Sequence, residues 1–419
     1  MNAGKIRIVW LGQYPVMGLQ PEIAVARPRG EHPASWMVCL ADALAARDEI
    51  DLHVITASAA VNRNQSARMN GLAFHVVHYA FPFTCRGFPR YLRLDLWSRY
   101  AFLRWQIVRL LRTLSPDLIH VHGTDSGYGL AALDTGLPTI VTMQGIVSRL
   151  QRVSPTTANR LQASIERYII RNTRYFGSRT VWATEFIRGL NKAATVYELY
   201  EAIGGVFFKT AGDSFGENNV LMVGTIQRSK GIEEALEAMR IVIAVCPAAR
   251  LMVVGAGTPE YLAQLKRRAE AIGVDHSVDW LGFKTADEIA SLHARSALLI
   301  HPSHLDNSPN SVAEAMASGL PVVASNIGGI PSMIEHQATG LLVAPRSPEE
   351  LADAIIALLR SSSERRRLAG KAKEVALARY LPTYVAEQTL SVYYDLLAKE
   401  QNRGASNGRW SLRLHRRSR

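Results

Sequence analysis

The stretch that decides the fold spans residues 306–329 and reads DNSPNSVAEAMASGLPVVASNIGG. It combines a polar, turn-forming loop, a short helix of small residues and a buried strand that ends in two glycines. If the helix begins near Asn310, its first backbone N–H groups have no partner within the helix and can hold a phosphate group. Glu314 then lies about one turn inside the helix, where a carboxylate can accept hydrogen bonds from two neighbouring hydroxyl groups.

Asp306 precedes Glu314 by eight residues and falls in the entry loop of this helix. There its carboxylate can face a bound sugar, while the backbone N–H groups of Asn310, Ser311 and Val312 bind phosphate. The alternative is structural, with Asp306 beginning an Asx turn and Glu314 exposed on the helix. The spacing of the two acids, taken alone, favours the structural alternative. The whole stretch, in contrast, indicates a site for a sugar linked to a diphosphate.

A basic motif follows the first strand pattern of the second half. Gly224 ends the run VLMVG, Thr225 follows it, and Arg228 and Lys230 precede the helical pattern IEEALEAM. A cation at the carboxyl end of a parallel strand lies where doubly wound sheets bind their ligands. Both cations can reach diphosphate oxygens, arginine as a planar fork and lysine as a point charge. The alternative is an ordinary surface loop, but the presence of the 306–329 stretch favours the binding role.

Short β-branched runs alternate with helical patterns along both halves of the chain. Most runs are continuously apolar, which is typical of strands covered on both faces. The alternation predicts parallel sheets with right-handed crossovers, and therefore two doubly wound, Rossmann-like α/β domains facing each other across a cleft. The rhythm fails between about residues 197 and 219, where glycines crowd, which predicts a linker. Residues 361–399 are expected to be helical around Pro382 and to return to the first domain.

Length and composition suit this organisation. With 419 residues, 48% of them hydrophobic, the chain can form two domains of roughly 200 residues each. The three cysteines lie far apart without a C-x-x-C pair, which argues against a disulfide framework or a zinc site and indicates a reducing compartment. The run before Gly12 reads as a first strand and not as a signal peptide. Since no run of about 18 apolar residues occurs, a cytoplasmic protein without a membrane span is predicted.

The net charge of +12 is concentrated in two segments. Residues 401–419 carry six arginines and no acid, and are predicted to be a disordered basic tail. Residues 86–112 carry seven arginines, one acid and six aromatic residues. Such a segment can bind an anionic membrane surface from the cytoplasmic side, as a peripheral protein does, although a solvated helix face is equally open. Basic clusters more often serve membranes or solubility, so no nucleic-acid partner is expected.

If residues 86–112 form one helix that begins at Pro89, Arg90, Arg93 and Arg104 share a face while Arg99 points away. The pattern is therefore mixed and not a clean amphipathic stripe.

Polar residues also end strand patterns in the first half. His120 and His122 lie in the run DLIHVHG and are expected to point in opposite directions, with His120 a hydrogen-bonded strand-end histidine. His122 or Gln144 can hydrogen-bond a substrate hydroxyl. Gly30 precedes a helical run and permits a phosphate to approach closely, although a capped helix start is about as well supported.

Several nucleotide-binding signatures are missing from the sequence. It contains neither the P-loop pattern nor G-x-G-x-x-G, which disfavours ordinary NTPase and dinucleotide sites. It also lacks an Asp-x-Asp pair, so a metal clamp on a diphosphate has no simple ligand set and no metal is expected. The cations and the helix N-terminus must then neutralise the diphosphate.

Together these motifs resemble those of the retaining glycosyltransferases of family 4, which have the GT-B fold. The resemblance rests on three pairs of residues, namely Asp306 with Glu314, Lys230 with Gly231, and Gly328 with Gly329. It covers nearly the whole chain, and its second-half motifs are the more specific. Three positions depart from the family pattern: Thr225 stands for an arginine, Gln144 for a histidine, and Asp306 for a glutamate.

The resemblance implies an acceptor-binding domain over residues 1–200, a linker over 201–218, a nucleotide-sugar domain over 219–380 and a return helix over 381–400. It implies that Glu314 grips the donor ribose, that Lys230 with Arg228 holds the diphosphate, and that Asp306 and the loop amides cradle the sugar. The expected donor is a UDP- or GDP-sugar, without a further cofactor.

The expected acceptor is a hydroxyl group, in the more specific form a lipid-linked glycan of the cell envelope. Three other functions stay open: a nucleotide-sugar epimerase, a non-catalytic nucleotide-sugar-binding protein, and a nucleic-acid-binding protein.

Overall fold

The computed structural model of the chain describes residues 5–26, 34–79, 94–124, 126–153, 155–209 and 218–406. Its contacts divide the chain into two compact units. The N-terminal unit comprises Met1–Ser178, Ala183–Glu201 and Val385–Arg419, and the C-terminal unit comprises Arg179–Trp182 and Ala202–Tyr384.

The N-terminal unit is built on an eight-stranded sheet. Its strands are β1 (Ile6–Leu11), β2 (Ile50–Ser58), β3 (Gln65–Met69), β4 (Leu72–His78), β5 (Leu118–His122), β6 (Thr139–Thr142), β7 (Tyr175–Ser178) and β8 (Thr195–Glu198). They lie in the order β3-β4-β2-β1-β5-β6-β7-β8. Every neighbouring pair is parallel except β3 and β4, which are antiparallel. The order reverses beside β1, which is the pattern of a doubly wound sheet.

Helices connect these strands. They are α1 (Ser35–Ala45), α2 (Leu94–Trp97), α3 (Ala101–Leu114), α4 (Tyr128–Leu133), α5 (Val147–Val153), α6 (Thr157–Asn172) and α7 (Val181–Leu190). The central strand β1 is covered on both faces, since Ile8, Val9 and Trp10 are fully buried. That burial explains why the central strands are continuously apolar.

The C-terminal unit is built on a six-stranded, fully parallel sheet. Its strands are β9 (Asn219–Val223), β10 (Arg250–Val254), β11 (Val278–Gly282), β12 (Leu298–His301), β13 (Val322–Ser325) and β14 (Leu341–Val343). Its helices are α8 (Gly205–Lys209), α9 (Ile232–Val245), α10 (Pro259–Ala271), α11 (Ala286–Ala294), α12 (Asn310–Ser318), α13 (Pro348–Arg360) and α14 (Ser362–Tyr380). The order β11-β10-β9-β12-β13-β14 reverses between β9 and β12, as in Rossmann folds. The chain thus has two doubly wound α/β units, as the sequence predicts.

The last helix, α15 (Pro382–Ser406), follows α14 after a break at Leu381, since Pro382 cannot continue the preceding helix. Its buried Tyr393 accepts a hydrogen bond from Trp10 Nε1 at 2.9 Å and donates to His120 Nδ1 at 2.6 Å. His120 Nε2 in turn lies 2.5 Å from Thr142 Oγ1. The hydrogen bonds therefore join α15 to strands β1, β5 and β6 of the N-terminal unit.

A single helix from Pro89, the condition for the arrangement of arginines considered above, does not occur in the described part of this segment. Residues 80–93 lie outside the described residues, and residues 94–114 form two helices, α2 and α3. Between them Arg99 and Tyr100 have positive φ values of 49° and 58°. Tyr100 is held there because its hydroxyl donates to Gln162 at 3.0 Å and its ring packs where a side chain on Gly127 would otherwise lie. Tertiary packing therefore outweighs the helical pattern.

The expectation that His120 and His122 point in opposite directions is wrong. Their rings stack with centroids 4.1 Å apart, and both contact Trp10. Side chains alternate along a strand with a period of two, so residues two apart share one face. The expected hydrogen bonding of His120 is confirmed by its contacts with Tyr393 and Thr142.

The region between the units differs from a plain linker. Residues 210–217 lie outside the described residues, whereas Gly205–Lys209 form helix α8, whose Phe207 is buried within the C-terminal unit. The basic tail predicted from residue 401 is described only to Ser406, where α15 ends. Residues 407–419 lie outside the described residues.

Candidate functional site

The candidate site lies in the C-terminal unit, where the strand order reverses. Strands β9 and β12 are neighbours in the sheet, and their carboxyl ends lead into the loops that carry Lys230 and Asp306. Ligands of doubly wound sheets bind in the crevice at such a reversal. The topology therefore places both predicted residues at the usual ligand position of this fold.

Two polar contacts join the loop after β9 to the loop after β12, and a third joins helix α9 to the loop after β12. Lys230 Nζ lies 2.6 Å from Asp306 Oδ2. The backbone N–H of His304 donates to the carbonyl of Ser229 at 2.8 Å, and His304 Nε2 lies 2.8 Å from Glu234 Oε1 in the first turn of α9. The two loops are therefore fixed to each other without a ligand.

Close backbone packing also selects glycine after Lys230. Gly231 has a φ of 73°, and a Cβ there would lie 2.0 Å from the carbonyl oxygen of Pro302. A side chain at this position would separate the two loops, so the Lys–Gly pair has a structural reason.

Asp306 is held by three donors. Its Oδ2 accepts from Lys230 and from His301 Nε2 at 3.0 Å, and its Oδ1 accepts from the backbone N–H of Asn307 at 3.0 Å. Burial by itself would raise the pKa of Asp306, but the hydrogen bond from His301 and the charge of Lys230 outweigh it and hold the pKa well below its ordinary value. The carboxylate is therefore ionised at neutral pH and orients Lys230. About one of its four acceptor positions stays open.

His301 is a site residue that the sequence analysis missed. Burial lowers its pKa below the ordinary value, so the ring is neutral. Nε2–H donates to Asp306, and Nδ1 lies 3.4 Å from Ser311 Oγ and can accept from it. His301 ends β12 five residues before Asp306. A histidine at the carboxyl end of a predicted strand just before the loop was the available signal.

The paired glycines Gly328 and Gly329 pack closely against the loop that carries Asp306. Gly328 has a φ of 59°, and a Cβ there would lie 2.0 Å from the carbonyl oxygen of Asp306. The backbone N–H of Gly329 donates to that carbonyl at 3.1 Å. Asn307 is anchored in addition by Thr180, whose hydroxyl donates to Asn307 Oδ1 at 2.7 Å. The Gly–Gly pair thus determines the backbone path at Asp306.

Helix α12 begins at Asn310, as predicted, and its N-cap residue Pro309 offers no side-chain acceptor. The backbone N–H groups of Asn310 and Ser311 donate to no acceptor in the described part of the chain, whereas that of Val312 donates to the carbonyl of Pro309 at 3.1 Å. Two of the three backbone N–H groups predicted to bind phosphate are therefore available, whereas that of Val312 is already used in a hydrogen bond.

Glu314 lies half-buried in α12. Burial raises its pKa to about 7, and in the described part of the chain no hydrogen bond or charge lowers it. Hydroxyl groups that donate to this carboxylate would stabilise its ionised form. The side chain is thus suited to a ligand with hydroxyl donors.

In the described part of the chain, the side chain of Arg228 contacts helix α10 and not Lys230 or Asp306. Its guanidinium lies 5.7 Å from the ring centre of Tyr261 and 3.5 Å from Gln264 Oε1, both in α10. A groove of about 390 Å³ is lined by these residues. Gly224 pairs with β10 through its backbone N–H, and Thr225 is exposed beside the groove. The structure therefore joins Lys230, Asp306 and the start of α12, while Arg228 faces α10.

The site residues predicted for the N-terminal unit are Gln144 and Gly30. Gln144 is half-buried after β6, near the reversal of that sheet between β1 and β5. The loop after it is fixed by the buried Glu166, which accepts the backbone N–H groups of Val147 and Ser148, each at 2.8 Å. Burial raises the pKa of Glu166. Gly30 lies outside the described residues.

Two features are absent from the described residues. No helix in that part of the chain is long and apolar enough to cross a bilayer. No group of three or more His, Cys, Asp or Glu side chains in the same residues is arranged to hold a metal ion.

Comparison with known proteins gives two family matches. Residues 208–375 match the model for glycosyl transferases group 1, and residues 37–191 match the model for the glycosyl transferase 4-like domain. An uncharacterized glycosyltransferase of Methanocaldococcus jannaschii is 30% identical over 188 residues, which is 45% of this chain and 47% of that protein. The chain thus spans about half the length of the curated relatives it matches.

Solved structures show the same fold. Sucrose-phosphate synthase from Thermosynechococcus elongatus has a TM-score of 0.76 at 20% identity, over 94% of this chain and 100% of that one. The Anabaena protein HepE, in complex with UDP, has a TM-score of 0.68 at 18% identity, over 93% of this chain and 100% of that one. The two family models thus match the C-terminal and the N-terminal half of the chain. The chain belongs to the family 4 glycosyltransferases and has the GT-B fold.

Proposed function

We propose that the protein transfers a sugar from a nucleoside-diphosphate sugar to an acceptor hydroxyl, with retention of the anomeric configuration and without a metal ion or other cofactor. The observation that carries this proposal is the Lys230–Asp306 pair, which holds a cation at the sheet reversal beside the start of α12. An ammonium group has three donors, so Lys230 can keep its bond to Asp306 and still donate to diphosphate oxygens.

The leaving diphosphate gains negative charge as its bond to the sugar carbon breaks. Lys230 and the free N–H groups of Asn310 and Ser311 would stabilise that charge, since donors fixed in advance need no reorganisation. We assign Arg228 as a second cation, which must leave Tyr261 and Gln264 to reach the phosphates. Gly224 and Thr225 would border the diphosphate at the end of β9.

Glu314 would accept hydrogen bonds from the two ribose hydroxyls. Its pKa, raised to about 7, reflects a half-buried carboxylate to which no group of the described residues donates a hydrogen bond, and a ribose supplies two donors. The open acceptor position of Asp306 would take a hydroxyl of the transferred sugar. On the N-terminal unit, Gln144 would hydrogen-bond the acceptor hydroxyl.

UDP is the first donor nucleotide to test, with GDP as the alternative, because HepE has been solved with UDP and with UDP-glucose. For the acceptor we propose a lipid-linked glycan of the cell envelope, reached by a cytoplasmic protein at the membrane surface. The basic, aromatic sequence around α3 supports this choice.

The test has two steps. A thermal-shift screen of UDP-, GDP- and ADP-sugars identifies the donor, and incubation of that donor with polyprenyl-linked acceptors in excess EDTA follows transfer, with the product anomer read by NMR. We expect transfer with retention and undiminished by EDTA. Epimerisation of the donor without acceptor would instead identify an epimerase, and inversion or loss of activity in EDTA would contradict the proposed mechanism.

A second experiment addresses the ribose site. Glu314→Ala should weaken nucleotide binding by calorimetry, while Glu335→Ala, outside the site, should leave it unchanged. Equal dissociation constants for wild type and Glu314→Ala would remove Glu314 from the ribose site.

A further inference from the structure

Helix α3 has two opposite faces of different chemistry. Leu103, Ile107 and Leu111 recur every four residues and are at most 3% exposed, so this face packs into the N-terminal unit. The opposite face carries Phe102, Trp105, Arg109 and Arg112 at spacings of three, four and three, and all four are exposed. We call these four residues the α3 stripe. At 3.6 residues per turn they form one continuous row along the helix.

The aromatic end of the α3 stripe is unusually open to solvent. Trp105 is 58% exposed and Phe102 43% exposed. Their ring centres are 6.1 Å apart with nearly parallel planes, so they form one apolar surface and not two scattered side chains. Contiguous exposed apolar surface of this kind marks a binding surface.

The other end of the α3 stripe is cationic. Arg109 lies 5.9 Å from the ring centre of Trp105, and with Arg112 it lines a groove of about 520 Å³. In the described part of the chain neither arginine forms an ion pair, whereas Arg104 on the flank is paired with Asp134 at 2.7 Å. Residues 94–114 contain a single acid, Asp95, which is buried. The exposed charged residues of α3 itself are therefore all positive, and Asp134 on its flank is paired with Arg104.

This combination is complementary to an anionic bilayer. Tryptophan and phenylalanine are favoured at the boundary between headgroups and acyl chains, and guanidinium groups bind lipid phosphates. A nucleic-acid surface needs many cations to neutralise a row of phosphates, whereas the α3 stripe has two arginines beside two large apolar rings. The balance of apolar area over charge favours a membrane.

We propose that the α3 stripe is the surface by which the protein docks on an anionic membrane, with Phe102 and Trp105 inserted at the headgroup boundary and Arg109 and Arg112 on lipid phosphates. The proposal extends the proposed function, because it names the residues that would bring the enzyme to a lipid-linked acceptor. Docking does not require catalysis and is tested independently of it.

The experiment is co-sedimentation of the full chain with vesicles of equal parts phosphatidylcholine and phosphatidylglycerol, and with vesicles of phosphatidylcholine alone. Wild type should bind the anionic vesicles, with binding weakened by high salt. Arg109→Glu with Arg112→Glu should weaken it at least about 30-fold, which corresponds to about 1 kcal/mol for each arginine near the surface. Phe102→Ser with Trp105→Ser should weaken it at least about tenfold through lost apolar burial.

A matched control distinguishes the effect of the α3 stripe on vesicle binding from the effect of the protein's net charge. Arg366 and Lys371 are exposed on α14, and Arg366→Glu with Lys371→Glu changes the charge equally. These residues lie outside the α3 stripe, so their replacement should alter vesicle binding less than about threefold. Nucleotide binding by calorimetry should stay at the wild-type value in every variant, so failure of docking is distinct from failure of the donor site.

Three results would overturn the proposal. They are no binding of wild type to anionic vesicles at low salt, equal loss in the α14 control, and stripe variants that lose binding to duplex DNA while no form binds vesicles.

Discussion

Lys230 Nζ and Asp306 Oδ2 lie 2.6 Å apart, although 76 residues separate them in the chain. The two side chains are only 22% and 17% exposed. A pair that is largely withdrawn from water gives little net stability, because desolvation of both charges offsets their attraction. Its position between the loops after β9 and β12 therefore indicates a functional reason for the pair, which is to hold a cation ready for an anionic ligand.

Glu314→Gln should change the pH dependence of stability. The folded protein keeps the Glu314 proton up to about pH 7, whereas the unfolded chain releases it near 4.5. Because the unfolded state binds fewer protons across this window, the free energy of unfolding falls as pH rises through it. Glutamine removes the effect, so the variant should gain at least about 1 kcal/mol over wild type at pH 8 and nothing near pH 4.

Urea unfolding at several pH values measures this difference. Glu374→Gln, an exposed position on α14, is the control and should follow the wild-type curve. Parallel curves for Glu314→Gln and wild type would show that Glu314 is not a buried, unpaired acid.

Gly328→Ala should distort the donor loop. The φ of 59° disfavours alanine, and its Cβ would lie 2.0 Å from the carbonyl oxygen of Asp306. We expect a loss of about 2 kcal/mol or more in unfolding free energy, together with weaker nucleotide binding as Asp306 moves. Gly370→Ala, in α14 with no atom near the added Cβ, should instead stabilise by about 0.5–1 kcal/mol. Similar effects of the two substitutions would contradict the strained contact.

Tyr393→Phe should destabilise the N-terminal unit. The lost hydroxyl accepts from Trp10 and donates to His120, so two buried polar groups lose their partner at a cost of about 1–3 kcal/mol. Burial already lowers the pKa of His120 well below its ordinary value, so the ring cannot recover by protonation at neutral pH. Tyr394→Phe, at an exposed neighbouring position, is the control in chemical unfolding. Equal stabilities of Tyr393→Phe and Tyr394→Phe would show that these hydrogen bonds do not stabilise the packing of α15.

Most of the strands that the sequence predicted are apolar and largely buried, such as β5 and β13, because burial on both faces leaves a continuous signal. Strand β3 was missed because QSARM is polar and pairs antiparallel at the sheet edge. Strand β7 was also missed, because it is only four residues long and contains Gly177. The break before α3 was missed because the fold holds Tyr100 at positive φ, which local pattern does not report.

The site was predicted in part for the same reason. Lys230, Asp306 and Asn310 stand at the ends of predicted elements. Because the carboxyl ends of parallel strands meet at one edge of the sheet, these residues come together there. The roles of His301 and Glu166 depend on contacts between elements, such as that of His301 with Asp306 and that of Glu166 with Ser148. The direction of Arg228 toward Tyr261 likewise depends on α10.

The proposed transfer depends on Lys230 holding a diphosphate without a divalent cation. The decisive experiment is calorimetric titration of UDP and GDP in excess EDTA into wild type and Lys230→Ala, with Lys266→Ala, exposed on α10, as the control. We predict that wild type and Lys266→Ala bind at least one of the two nucleotides equally well, and that Lys230→Ala binds it at least about tenfold more weakly. Absence of binding to wild type in EDTA, or unchanged binding to Lys230→Ala, would rule out this role of Lys230.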